Sequence, residues 1–147
     1  MKKTILSFLV IALCLSTIST QAQSVFGKWK TIDDDGVTEK SIVEIFEQDG
    51  KAYGKIVKLL DEKRGPNPKC IECKGKKKDQ PLLGMEFLSG LTDEGEYWED
   101  GKILDPENGK EYSCHIKLIE GGEKLEVRGY MGFSLLGRTQ TWHRIED

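Results

Sequence analysis

Apolar and polar residues alternate along most of this chain, and glycine-rich turns break the alternation at nearly regular spacing. Over residues 111–119, Tyr112, Cys114, Ile116 and Leu118 fall on one side, while Ser113, His115 and Lys117 fall on the other. Successive side chains of a strand point to opposite faces, so this run predicts an antiparallel strand with one face on a core. Leu125, Val127 and Met131 continue the pattern across Gly129. Between the two runs, Glu120-Gly121-Gly122-Glu123 supplies a hairpin turn, because glycine accepts the positive φ that such turns require. Gln48-Asp49-Gly50 separates residues 41–47 from 51–60 in the same way. Thr92-Asp93-Glu94-Gly95 joins residues 85–91 to 96–98, and Asp105-Pro106-Glu107-Asn108-Gly109 joins residues 102–104 to the Cys114 strand. With residues 25–32 and 137–145, the sequence predicts about eight strands and no convincing helix. So many short antiparallel strands predict a closed barrel or a sandwich, since closure leaves no free edge. One long irregular connection, residues 61–81, is punctuated by Pro66, Pro68, Gly75 and Pro81.

Residues 1–22 read as an export signal. Lys2 and Lys3 precede an apolar run from Ile5 to Leu15, and Thr20-Gln21-Ala22 offers a small-x-small cleavage site. The apolar run is too short for a transmembrane helix, and no later run is long enough to span a bilayer. Residues 23–147 are then expected to form a single exported domain, of a length that suits one core. The expected destination is the periplasm, with full secretion as the alternative. Of 22 Lys and Arg, two belong to the signal, so about 20 cations face 25 carboxylates in the exported part. That balance argues against nucleic acid or an anionic membrane as a non-specific partner, because both need a basic field. The local run from Lys74 to Lys78 reads as a solvated loop.

Several short segments carry a family resemblance. They include Phe26-Gly27-Lys28-Trp29 followed by Asp33-Asp34-Asp35, Tyr53-Gly54-Lys55-Ile56-Val57, and Asn67-Pro68-Lys69-Cys70-Ile71-Glu72-Cys73. Further along come Pro81-Leu82-Leu83-Gly84, Gly101-Lys102-Ile103-Leu104-Asp105-Pro106 and Gly109-Lys110-Glu111-Tyr112-Ser113-Cys114. Arg128-Gly129-Tyr130 and Leu136-Gly137-Arg138-Thr139-Gln140-Thr141-Trp142 complete the set. Together they resemble the DUF2147 family of exported bacterial proteins, across essentially all of residues 23–147. The resemblance implies a lipocalin-like, calycin-type β-barrel and no established activity. Gly27-Lys28-Trp29 resembles the G-x-W signature of such barrels, in which the tryptophan plugs one end under an arginine of the last strand. A guanidinium can stack on an indole while its N–H groups bind carbonyls, and the candidates for barrel closure are Trp29 with Arg144 or Arg138.

Cys70 and Cys73 form the sharpest local motif. Three chemistries fit a C-x-x-C pair: a small structural disulfide, a redox dithiol, or half of a zinc site completed by Cys114, His115 or His143. The redox reading lacks the strand–helix context of such sites. The metal reading suffers because Cys114 and His115 point to opposite faces of one strand. The disulfide is the most economical and leaves Cys114 as a buried thiol. The acidic run Asp33-Asp34-Asp35-Gly36 lacks the ligand spacing of an EF-hand loop and reads as a turn. No phosphate-binding glycine loop and no nucleophile elbow is evident, so neither a cofactor, a resident metal nor a catalytic residue is assigned.

An eight-stranded barrel either fills with its own side chains or holds one small ligand. The expected inward set is Phe46, Tyr53, Val57, Phe87, Tyr112, Ile116, Leu118 and Leu125. The leading expectation is a monomeric, non-enzymatic binding protein for a small, largely apolar ligand. The alternative is an envelope adaptor or structural module acting through protein contacts, for which residues 132–137 form the natural surface. A hydrolase or a thiol or metal protein ranks third.

Overall fold

The computed structural model describes residues 23–133 and 135–146. Residues 1–22, on which the expected export signal falls, Ser134 and Asp147 lie outside the described residues. Eight strands run in chain order: β1 (Gly27–Ile32), β2 (Glu39–Gln48), β3 (Lys51–Leu59), β4 (Glu86–Asp93), β5 (Trp98–Asp105), β6 (Lys110–Ile119), β7 (Lys124–Tyr130) and β8 (Gly137–Ile145). Each pairs antiparallel with the next, and β1 pairs with β8 to close an eight-stranded barrel. The closing seam joins Lys28 to Ile145, Trp29 to Arg144 and Lys30 to His143. Of the closed barrel and the sandwich that the alternation allowed, the observed architecture is the barrel, which the family resemblance also implied.

One pair of predicted strands merges. Trp98, the last residue of the first predicted run, and residues 102–104 belong to a single strand, β5, whose register shifts between Trp98 and Gly101 where Asp100 takes a φ of 63°. Gly101 leaves no room for a side chain, since a Cβ there would lie 2.6 Å from Leu91 Cγ. A bulge of this kind bends the strand without ending it. At the other end of the pattern, β7 stops at Tyr130, so Met131 stands in the loop beyond it.

Because consecutive strands alternate in direction, the connections sort into two ends. The chain start, the β2–β3 and β4–β5 turns and the turn at Glu120–Gly122 share one end. The β1–β2 loop, the long β3–β4 connection, the β5–β6 turn and the β7–β8 loop share the other. The first end is filled: Trp29, Leu91, Ile116 and Leu125 are completely buried there. Trp29 Nε1 donates to the Val25 carbonyl at 2.9 Å, which satisfies the only polar atom of a buried indole.

Arg144 seals this end. Its guanidinium carbon lies 4.2 Å from the Trp29 ring centre. Its N–H groups donate to the carbonyls of Gly122 at 2.7 Å, Ser24 at 2.6 Å and Phe26 at 3.4 Å. Arg138, the other candidate, sits at the opposite end of β8 and makes no contact with Trp29. The strand direction decides this: Arg144 is the register partner of Trp29 across the seam.

Candidate functional site

The second end of the barrel opens into a cavity of about 600 Å³. All eight strands contribute to its wall. Its deep part is apolar, built by Val43, Ile56, Phe87, Val127 and Trp142. Phe87 and Trp142 pack ring against ring with centroids 6.0 Å apart. Two hydroxyls, Thr31 Oγ1 and Ser41 Oγ, are buried in the wall and hydrogen-bond to each other at 2.8 Å. They satisfy one another, so they add polarity at little desolvation cost.

The sequence-predicted lining residues divide three ways. Phe87 and Tyr112 line the cavity. Ile116 and Leu125 are completely buried in the filled half, and Leu118 packs half-buried against that core. Phe46, Tyr53 and Val57 are not in the wall, which corrects the phase expected for β2 and β3. Phe46 and Tyr53 face each other across the strand pair on the outer surface, with centroids 6.1 Å apart, and the Lys55 ammonium covers the Phe46 ring. The inward residues are Val43 and Ile45 on β2, then Ala52, Gly54 and Ile56 on β3. Gly54 marks the reason. A Cβ there would approach Leu88 Cβ to 3.0 Å, so the inner face at this point has space for little more than backbone. Val57 is the extra residue where the β2–β3 register jumps from Val43–Ile56 to Ile42–Lys58. That bulge shifts the phase, and Leu59 then points into the cavity.

A second bulge builds the mouth. The β1–β2 register passes from Thr31–Ser41 to Ile32–Glu39 and leaves Lys40 without an opposite residue. Lys40 turns toward the opening, where its Nζ lies 3.0 Å from Glu107, 3.2 Å from Asp61 and 3.6 Å from Asp33. One ammonium thus ties together three of the four loops around the mouth. From β8, Arg138 reaches Asp34 at 2.9 Å and Asp105 at 3.4 Å. Gln140 donates to Asp34 at 2.8 Å and accepts from Trp142 Nε1 at 3.1 Å, which links the charged rim to the apolar wall. Alternation alone could not find this cluster, because its members are far apart in sequence. The bulge at Lys40 is visible only in the pairing.

Protonation in the rim follows from these contacts. The Lys63 backbone N–H and the Lys40 ammonium hold the Asp61 carboxyl below the ordinary value of 3.8. Burial pulls Lys40 down, but its bonds to Glu107 and Asp61 outweigh that and leave it above 10.5. Asp35 in the β1–β2 loop accepts from the Thr38 hydroxyl and the Thr38 and Val37 amides, and is lowered to about 2. Its lone pairs are occupied by its own turn, so Asp35 serves local structure, whereas Asp33 and Asp34 belong to the rim.

Cys70 and Cys73 are joined in a disulfide within the β3–β4 connection, and both are buried. Their sulfurs are bonded to each other and are not free thiolates. Backbone bonds from Cys70 to Gln80 and from Leu82 to Pro68 stitch this segment into a compact flap beside the mouth. It leans on the β5–β6 turn, where a Cβ on Gly109 would collide with the Glu72 carbonyl. Pro68, Leu82 and Arg64 of the flap line the cavity. Cys114 is a buried free thiol, pushed up to about 12 by burial. His115 is half-buried between the rings of Tyr97 and Tyr130, and burial holds it below 6.5, while His143 is exposed on β8. Among the described residues, no three His, Cys, Asp or Glu side chains gather into a metal-binding group.

An antiparallel eight-stranded cup, plugged at one end by a tryptophan under an arginine and hollow at the other, is a lipocalin-like barrel. The chain belongs to the DUF2147 family, described as an uncharacterized protein conserved in bacteria, whose model matches residues 27–144. Among solved structures it is similar to protein HP1028 from the human pathogen Helicobacter pylori, which is described as belonging to the lipocalin family. The two are 26% identical, the match covers 85% of each chain, and the TM-score is 0.74. No curated protein matches the chain by sequence.

Proposed function

We propose that this protein is an exported, monomeric binding protein that holds one small, largely apolar ligand in the open half of the barrel. The observation that supports this reading is the change in character along the cavity. Its depth is aliphatic and aromatic, and its mouth is charged. An amphipathic guest fits that gradient, with its apolar body against Val43, Ile56, Phe87, Val127 and Trp142 and its polar end near Lys40 and Arg138. Burial of apolar surface supplies the affinity, at roughly 25 cal/mol per Å², and the few polar groups at the rim set orientation. The volume of about 600 Å³ lies within the range usual for small-molecule sites. Export to the periplasm through residues 1–22 would place the carrier where poorly soluble molecules must cross water. Native mass spectrometry of protein isolated gently from the periplasm, without detergent, tests the proposal. One small organic molecule retained per chain is the expected result. An unliganded mass, combined with failure to take up any apolar probe, would sink it.

A further inference from the structure

The exposed large apolar side chains of the described residues are Val37, Ile71, Leu83, Met131, Phe133, Leu135 and Leu136. Every one of them lies in a connection at the open end: the β1–β2 loop, the β3–β4 connection or the β7–β8 loop. None lies at the plugged end or on the barrel wall. Isolated exposed hydrophobics are ordinary, but this segregation to one pole is not, and it surrounds the cavity opening. Phe133 is 77% and Leu135 90% exposed, while Met131 and Leu136 are exposed and also belong to the cavity wall. The β7–β8 loop thus contributes apolar side chains both to the exposed tip and to the cavity wall.

Charge is segregated too. The β3–β4 connection, residues 60–85, carries seven cations against four carboxylates in a chain that is acidic overall. Arg64, Lys69, Lys74 and Lys76 form no ion pair among the described residues. Lys77 and Lys78 reach carboxylates only at 3.8 Å each, Glu111 and Asp79, and Lys78 also donates to the Ile71 carbonyl. Exposed Ile71 stands within this basic flap, between the disulfide cysteines. In an eight-stranded ring the β3–β4 connection and the β7–β8 loop rise on opposite sides of the mouth. A basic flap and an uncharged apolar loop tip thus flank the opening.

We propose that the open pole docks on a bilayer containing anionic phospholipid. Phe133 and Leu135 enter the headgroup region while the lysines of the flap face lipid phosphates. Such shallow insertion needs only a few apolar side chains together with a basic patch. A stable protein interface engages about 20–30 residues a side, far more than these separate loop tips offer. The acidic groups around the mouth, Asp33, Asp34, Asp61, Asp105 and Glu107, are paired with Lys40 or Arg138, whereas the flap carries a surplus of cations that can face an anionic surface. This inference rests on the carrier reading for its purpose, because docking would bring the cavity mouth to a reservoir of apolar guests.

Co-sedimentation of the intact oxidised protein with vesicles tests it. Binding is expected to vesicles of phosphatidylcholine mixed with phosphatidylglycerol, to be much weaker with phosphatidylcholine alone, and to be lost at about 0.5 M salt. The double variants F133D/L135D and K74E/K76E are each expected to weaken binding about tenfold or more. None of these four side chains lines the cavity, so both variants should take up an apolar fluorescent probe in vesicle-free solution like the parent. Failure to sediment at low salt would overturn docking, as would binding that neither variant changes. Probe uptake without vesicle binding overturns docking and leaves the carrier reading intact. Vesicle binding without probe uptake does the reverse.

Discussion

The Arg144 guanidinium carbon lies over the Trp29 indole, 4.2 Å from its centre, and the group donates to carbonyls of three separate residues of the chain start and the β6–β7 turn. This one side chain joins the first strand, the last strand and a turn that would otherwise expose unpaired carbonyls. Arg144→Ala is expected to cost about 2–3 kcal/mol in urea unfolding, since charge-assisted bonds and the stacking contact vanish together. Arg144→Lys should recover only part, because an ammonium cannot reproduce a planar fork. Equal stability of the Lys variant and the parent would mean that stacking and carbonyl bonding at this end contribute little.

The thiols make a counting experiment. In the oxidised chain starting at Gln23, a thiol reagent at neutral pH should find no reactive cysteine, because Cys114 is buried and its thiol is raised to about 12. Denaturation should reveal one thiol, and denaturation with reduction should reveal three. Two thiols before reduction would show the disulfide unformed. Replacing both Cys70 and Cys73 by serine is expected to cost about 2 kcal/mol, the chain-entropy value for so short a loop.

Lys40 is expected to govern how the mouth responds to pH. Asp61 is lowered in the folded state, so its contribution is complete above 3.8 and fades as pH falls through the lower folded value. Lys40 is raised, so its contribution is complete below 10.5 and fades as pH rises through the higher folded value. Between those limits the cluster holds. Lys40→Met leaves Asp33, Asp61 and Glu107 facing one another without a counter-ion. At neutral pH the variant should lose about 1 kcal/mol, or a few degrees in Tm. As pH falls through the lowered folded value of Asp61, the two melting curves should draw together. A gap that stays constant through that fall would place the effect in packing instead of charge.

How legible the barrel was depended on how unambiguous each strand is. On β6 only one face is apolar, and Tyr112, Cys114, Ile116 and Leu118 could be assigned at once. On β2 and β3 both faces carry apolar residues, and the larger aromatics, Phe46 and Tyr53, drew the assignment to the wrong side. The inward residues there include Ala52 and Gly54, which periodicity weighs lightly but a crowded interior requires. Bulges at Val57 and Lys40 were invisible, because an inserted residue shows itself only against its partner strand. The G-x-W motif pointed to the plugged end, but the open end is assembled from loops distant in sequence, and no local pattern announces it.

Uptake of an apolar fluorescent probe by the purified protein, compared with Val127→Phe, tests the carrier proposal most directly. Val127 is buried in the cavity wall beyond the charged rim, so a phenyl ring there extends into empty space and should disturb the fold little. The expected result is saturable binding of one probe per chain to the parent, weakened about tenfold or more in the variant as the apolar space is filled. Absence of saturable binding, or equal binding by both proteins, would contradict a ligand-holding barrel.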